Sequence, residues 1–185
     1  MKKQKVKREW YTILAPTYLN EIEIGHTLAS EPEKLIGRRL WVSAMNALND
    51  FSKYYLKLAF IITQVDGKVA KTDFFGSECL REYIARMVMR RTTRIDVVQD
   101  VITKDNRKVR VKSIAIFPGK VRGKVKKAIR KKIYEIVESM VSQATLADFV
   151  TKLLLKDELK KKVSKELRKI YPLKNYEIRK TEVLE

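Results

Sequence analysis

The stretch YYLKLAFIITQVDGKVAKTDFF (54–75) narrows the folds open to this chain more than any other. Its first half is rich in aromatic and β-branched residues, which favour extended backbone. It stops at Asp66-Gly67, and an Asp-Gly step between two apolar runs is a strong two-residue hairpin signal. Lys68–Phe75 is therefore expected to return antiparallel to Tyr54–Val65. A second hairpin is expected from TRIDVVQDVIT (93–103), the polar break KDNR, and KVRVKSIAIF (108–117). Upstream, WYTIL (10–14) ends before Pro16 and RRLWVSA (38–44) follows Gly37, and both read as strands. Antiparallel pairing, and not a series of parallel βαβ units, is expected over residues 10–117.

Helical periodicity appears between the hairpins and after them. Leu80, Tyr83, Ile84, Met87 and Val88 recur at three and four residue steps, with Ser77 as the expected N-cap of a helix over about 78–91. From Gly123 onward Val125, Ile129, Ile133, Ile136, Val137 and Met140 share one helix face. TLAD (145–148) has the form of a capping box and precedes the apolar stripe Leu146, Phe149, Val150, Leu153 and Leu154. A further helix carries Leu159, Val163, Leu167 and Ile170 and stops before Pro172, and the alternating tail YEIRKTEV can add a strand. The class is α+β: an antiparallel sheet or barrel-like domain with one inserted helix, followed by C-terminal helices. The expected organisation is a flexible basic arm at 1–9, a β-rich domain at 10–117, and a helical region at 118–185 packed on it as a single globular unit.

Charge then becomes the main functional clue. The 185 residues hold 41 Lys and Arg against 22 Asp and Glu, a formal net charge of +19, yet 45% are apolar. Disordered basic tails lack that apolar content, so this is a folded basic protein. The charge is clustered. KVRGKVKKAIRKK (120–132) holds eight basic residues and no acid, and the first eight residues, MKKQKVKR, hold five basic side chains. Like charges at that density repel unless an anion lies alongside. The last helix, KDELKKKVSKELRK, differs because Asp157, Glu158 and Glu166 offset its lysines, and it reads as an ordinary solvated face. A membrane-surface helix would show Trp, Phe or Leu along its apolar face, whereas residues 123–140 show Val and Ile, the pattern of core packing.

Catalytic and metal chemistry lack the residues they need. His26 is the only histidine and sits beside Gly25, as a surface residue would. Cys79 is the only cysteine; it reads as a small buried apolar residue and weakly favours a reducing compartment. Asp96 and Asp100 share strand parity, but such pairs more often bond to neighbouring bases such as Arg94. There is no phosphate-binding glycine loop, no dinucleotide fingerprint and no HExxH. No enzyme activity, cofactor or metal is expected, and cytoplasm is the default location. Trp41 and Tyr55 read as core, while Trp10, next to the basic arm, is open to an RNA contact.

Several pieces of the chain together resemble a known family. They are REWYTILAP, LIGRRLWVSAMNAL, the long run from YYLKLAFIITQVDGKVAKTDFF to KDNRKVRVK, KKAIRKKIYEIV and the closing YPLKNYEIRKTEVL, in family order over nearly the whole chain. The family is the small-subunit ribosomal proteins of archaea and eukaryotes called S-one-e, formerly S-three-a-e, and the length resembles an archaeal member. The resemblance implies a barrel-like β domain with flanking helices on the platform of the small subunit, near the messenger-RNA exit. Its implied partners are ribosomal RNA close to its 3′ end and neighbouring platform proteins, with messenger RNA open as a further partner. A non-ribosomal RNA-binding or RNA-processing accessory protein is the alternative.

Three sets of residues are expected to contact RNA. Lys2, Lys3, Lys5, Lys7 and Arg8 form the arm. Arg90, Arg91 and Arg94 form a second contact. Lys120, Arg122, Lys124, Lys126, Lys127, Arg130, Lys131 and Lys132 form the third and largest.

Overall fold

The computed structural model describes residues 8–48 and 50–184. The chain forms two compact units, Met1–Gly76 and Ser77–Glu185.

In the first unit, β1 (Glu9–Leu14) runs antiparallel to β2 (Glu23–Ala29), with Trp10 opposite Leu28 and Thr12 opposite His26. β3 (Arg39–Ser43) runs antiparallel to β4 (Leu56–Asp66) and is followed by the single-turn helix α1 (Ala44–Leu48). β5 (Val69–Cys79) pairs with β4, and its start lies parallel to β1 from Thr12 opposite Val69 to Leu14 opposite Lys71. The pairing is therefore mixed, but no βαβ crossover creates the parallel step. The expected hairpin between 54 and 75 is present with its turn one residue later. Gly67 and Lys68 are the turn, and Gly67 takes φ 59°, a left-handed value that glycine adopts without a Cβ clash.

Tyr11, Ile13, Ala29, Leu35, Ile62 and Ala70 form a core cluster in this unit, with Ile24, Leu40 and Val65 against it. Tyr55 is buried as expected. Trp41 is not: it is 49% exposed. Strand parity decides the matter, because Leu40 packs inward and the next residue must then point out. β2 was not legible in the sequence. Its residues, EIGHTLA, bury only Ala29 and show little apolar alternation.

In the second unit, the end of β5 leads into α2 (Arg81–Met87). Ser77 does not cap this helix. It is fully buried in β5, where its hydroxyl bonds that of Thr181 at 2.7 Å, and Leu80 occupies the N-cap position. β6 (Thr92–Ile102) and β7 (Lys108–Pro118) pair antiparallel in unbroken register, the second expected hairpin. β8 (Asn175–Leu184), the alternating tail, pairs antiparallel with β7.

Helices cover both faces of these strands. The odd-numbered residues Ile95, Val97, Val101, Val109, Val111, Ala115 and Phe117 are buried. On that side lie α3 (Gly123–Val141), which contacts β6, and α5 (Glu158–Ile170), which packs on α3. α3 buries Ile129, Ile133, Ile136, Val137 and Val141, and α5 buries Leu159, Val163 and Leu167. Between them, α4 (Leu146–Asp148) continues into a π-helical segment, Phe149–Leu155, that buries Phe149, Val150, Leu153 and Leu154. The N-cap half of the expected capping box is formed: the Thr145 hydroxyl accepts the Asp148 backbone N–H at 3.1 Å and donates to its carboxylate at 3.0 Å. α2 lies on the opposite face, where Met87, Tyr83, Ile84 and Val88 pack on Ile114 and Ile116.

Candidate nucleic-acid interface

A basic surface is built where β7 turns into α3. Gly119 takes φ 69° in that turn, and its N–H donates to the Arg91 carbonyl at 2.9 Å. Thr93 ties the same turn from the other side. Its hydroxyl donates to the Gly119 carbonyl at 2.7 Å and accepts the Val121 N–H at 3.2 Å. Val121 is buried and anchors the segment. The result is that Arg90 and Arg91, at the start of β6, stand beside Lys120 and Arg122, at the entry to α3. All four are exposed. Two clusters some thirty positions apart in sequence thus become one surface.

α3 extends that surface. Its apolar stripe is committed to the core, so Lys124, Lys127, Arg130 and Lys131 emerge on the exposed side, while Lys126 and Lys132 are half-buried. Lys132 lies 3.7 Å from Glu135; among the described residues none of the other bases from Lys120 to Lys131 has a carboxylate partner. The helix starts against its own electrostatics. Arg122 is the N-cap without a side-chain cap bond, and the first turn has no acid. Positive charge at the positive end of a helix dipole is unfavourable by roughly 0.3–1 kcal/mol per group when exposed. An external anion held there relieves both the dipole and the crowding of like charges.

The other expected residues lie elsewhere. Lys2, Lys3, Lys5 and Lys7 fall outside the described residues. Arg8 is exposed and directly precedes β1. Arg94 is on the even-numbered face of β6, away from α3, where Asp96 holds it through Nε at 2.9 Å and Nη2 at 2.8 Å. Trp10 is 64% exposed and meets the His26 ring edge-on at 6.5 Å.

The residues weighed for catalysis or metal binding have ordinary partners. His26 contacts Glu23 at 2.9 Å and the Thr12 hydroxyl at 3.4 Å. Cys79 is buried, and its thiol donates to the Ile178 carbonyl. Asp100 accepts two hydrogen bonds from Arg110, at 2.6 and 2.9 Å, with Lys108 at 3.5 Å. The Arg110 hydrogen bond is the main reason its carboxyl is held down to about 2. Among the described residues, no three His, Cys, Asp or Glu side chains gather as metal ligands would. Arg81, Lys112, Arg179 and Lys180 also converge, around a cleft beside α2, and linear clustering gave no sign of it because they are spread over a hundred positions.

Residues 2–185 match the Ribosomal S3Ae family. The chain is similar to the small ribosomal subunit protein eS1 of Methanopyrus kandleri, with 38% identity over 179 residues, covering 95% of this chain and 85% of that protein. The eS1 protein of Methanothrix thermoacetophila is 39% identical over 97% of this chain and 84% of its own length. That of Methanobrevibacter smithii is 36% identical over 96% and 92%.

Proposed function

The chain belongs to the ribosomal S3Ae family, whose members are structural and not enzymes, and from that premise we propose a structural role in the small ribosomal subunit, binding ribosomal RNA through the α3 surface. The observation that carries the RNA contact is the clamp between Gly119 and Arg91, which adds Arg90 and Arg91 to the unpaired bases of α3. Exposed Lys and Arg directed at backbone phosphates supply sequence-independent affinity, and the release of condensed counterions makes that affinity salt-dependent. Lys2, Lys3, Lys5, Lys7 and Arg8 add a further basic contact to the same RNA.

The finer placement belongs to the same proposal. The protein sits in the cytoplasmic ribosome, on the platform near the messenger-RNA exit, against the 3′ end of the ribosomal RNA, with platform proteins and messenger RNA as neighbours. The extended family pattern over nearly the whole chain supports it. Sedimentation of a tagged chain with small subunits through a high-salt wash tests the role. Retention in the subunit fraction is expected, together with crosslinks from the α3 surface to ribosomal RNA. A chain that washes off intact subunits and crosslinks to no ribosomal RNA contradicts it.

A further inference from the structure

On the face of the second unit's sheet away from α3, α2 covers Ile114 and Ile116 but not the whole surface. Beside it opens a cleft of about 760 Å³, within the usual range of ligand pockets. Its charged lining is Arg81 from α2, Arg94 from β6, Lys112 from β7, Arg179 and Lys180 from β8, and one acid, Glu78. Three of the bases are already engaged. Arg94 bonds Asp96, and Lys112 and Lys180 reach Glu182 at 2.8 and 2.7 Å. Arg81 and Arg179 have no carboxylate partner among the described residues, and Arg179 is half-buried.

Arg179 reaches the cleft through a break in strand register. Lys112 pairs with Lys180 and Ser113 pairs with Ile178, so Arg179 is an extra residue with no counterpart on β7. In a regular strand Arg179 and Lys180 would point to opposite faces; the bulge re-aims one of them, and both line the same cleft. A guanidinium withdrawn from water without a counter-ion is costly, which favours an anion in the cleft. The planar fork of arginine matches a phosphate through two parallel hydrogen bonds. Among the described residues no aromatic side chain lines the cleft, so it offers no platform for base stacking and suits the backbone of a strand instead.

We propose that this cleft is a second RNA contact, in which Arg81 and Arg179 take backbone phosphates on the face of the sheet opposite α3. The proposal rests on the RNA-binding role proposed for the protein, and its test separates the two. The full chain is titrated with an unstructured oligouridylate over a range of salt concentrations, alongside R81Q/R179Q, K127A/R130A/K131A and the fivefold combination. The slope of log K against log salt is expected to fall by about 1.4 in R81Q/R179Q, or about 0.7 for each phosphate contact on a single strand, and to fall further in the combination. An R81Q/R179Q slope equal to that of the unsubstituted chain overturns the cleft, whatever the α3 variant does. The α3 variant's own slope reports on α3 alone. Arginine Nε–Hε NMR signals of the unsubstituted chain provide a readout independent of how the variants fold. Arg81 and Arg179 should shift with the oligouridylate, and a response to inorganic phosphate alone would mark a small-anion site and overturn the RNA assignment.

Discussion

α3 and α5 lie in the same unit, pack on one another and are both rich in lysine, yet their charges are arranged in opposite ways. α5 has Asp157 before it, Glu158 in its first turn, and Arg168 and Lys169 in its last, all in agreement with the helix dipole. Lys160 pairs with Glu177, and Lys169 with Glu166. α3 has no acid in its first turn, no base in its last, and Arg122 at its N-cap. The number of lysines therefore says little about what a helix binds. Under the proposed RNA-binding role, it is their position relative to the helix dipole that separates a solvated face from one that takes an external anion.

The contrast concerns the polar faces only, so the apolar faces should respond alike. Ile133 and Leu167 are both fully buried, and Ile133→Ala and Leu167→Ala should each cost about 2–5 kcal/mol through lost burial and a cavity. Urea unfolding measures this, and a cost near zero in either helix would remove that helix from the core. Thr145→Ala, at the cap of the helical turn between them, should cost about 0.5–2 kcal/mol by the same measurement, since the Asp148 N–H loses its acceptor.

Opposite dipole arrangements predict opposite signs for charge reversal. Lys124→Glu, in the first turn of α3, should raise stability by about 0.3–1 kcal/mol at low salt while weakening RNA binding. Glu158→Lys in α5 should lower stability by a similar amount and leave RNA binding unchanged. Thermal unfolding at low salt reads the stability arm, and like signs in the two helices would break the comparison.

Acid should act on the paired strands and spare α3. Asp100 is held down to about 2, chiefly by its hydrogen bond from Arg110, and Glu182 is held below the ordinary range by Lys112 and then Lys180. A lowered folded value contributes stability above the ordinary carboxylate value and loses it as pH falls through the folded one. For Asp100 that window runs from its ordinary 3.8 down to about 2. Asp100→Asn should flatten the stability profile there, as followed by circular dichroism, and an unaltered profile would mean that the pair contributes nothing.

Local pattern made most of the fold readable, and its failures share a cause. The two hairpins and the long helices were legible because alternation and the 3.6-residue period repeat over many residues, as from Thr92 to Pro118. β2 and the outward Trp41 were not, since pairing partners and strand parity decide them and composition does not. Ser77 read as a cap because an isolated polar residue before a periodic run has the same local signature whether it starts a helix or ends a strand. The α3 surface was visible as a charge run, but its union with Arg90 and Arg91 depends on the Gly119 and Thr93 hydrogen bonds, which link residues distant in sequence. The cleft at Arg179 depends on a bulge, and a single extra residue leaves no periodic trace.

The central claim is that the exposed bases of α3 meet phosphates and those of α5 do not. The direct test is the salt dependence of RNA affinity for K127A/R130A/K131A in α3 against K161A/K162A/K165A in α5, with the folding stability of both checked. Exposed charges contribute little to stability, so both variants should fold. The α3 variant should lower the slope of log K against log salt by about 2–3, roughly 0.7–0.9 for each lost phosphate contact, and the α5 variant should match the unsubstituted chain. An unchanged slope in the α3 variant, or equal losses in the two, would mean that KVRGKVKKAIRKK is a solvated face like that of α5.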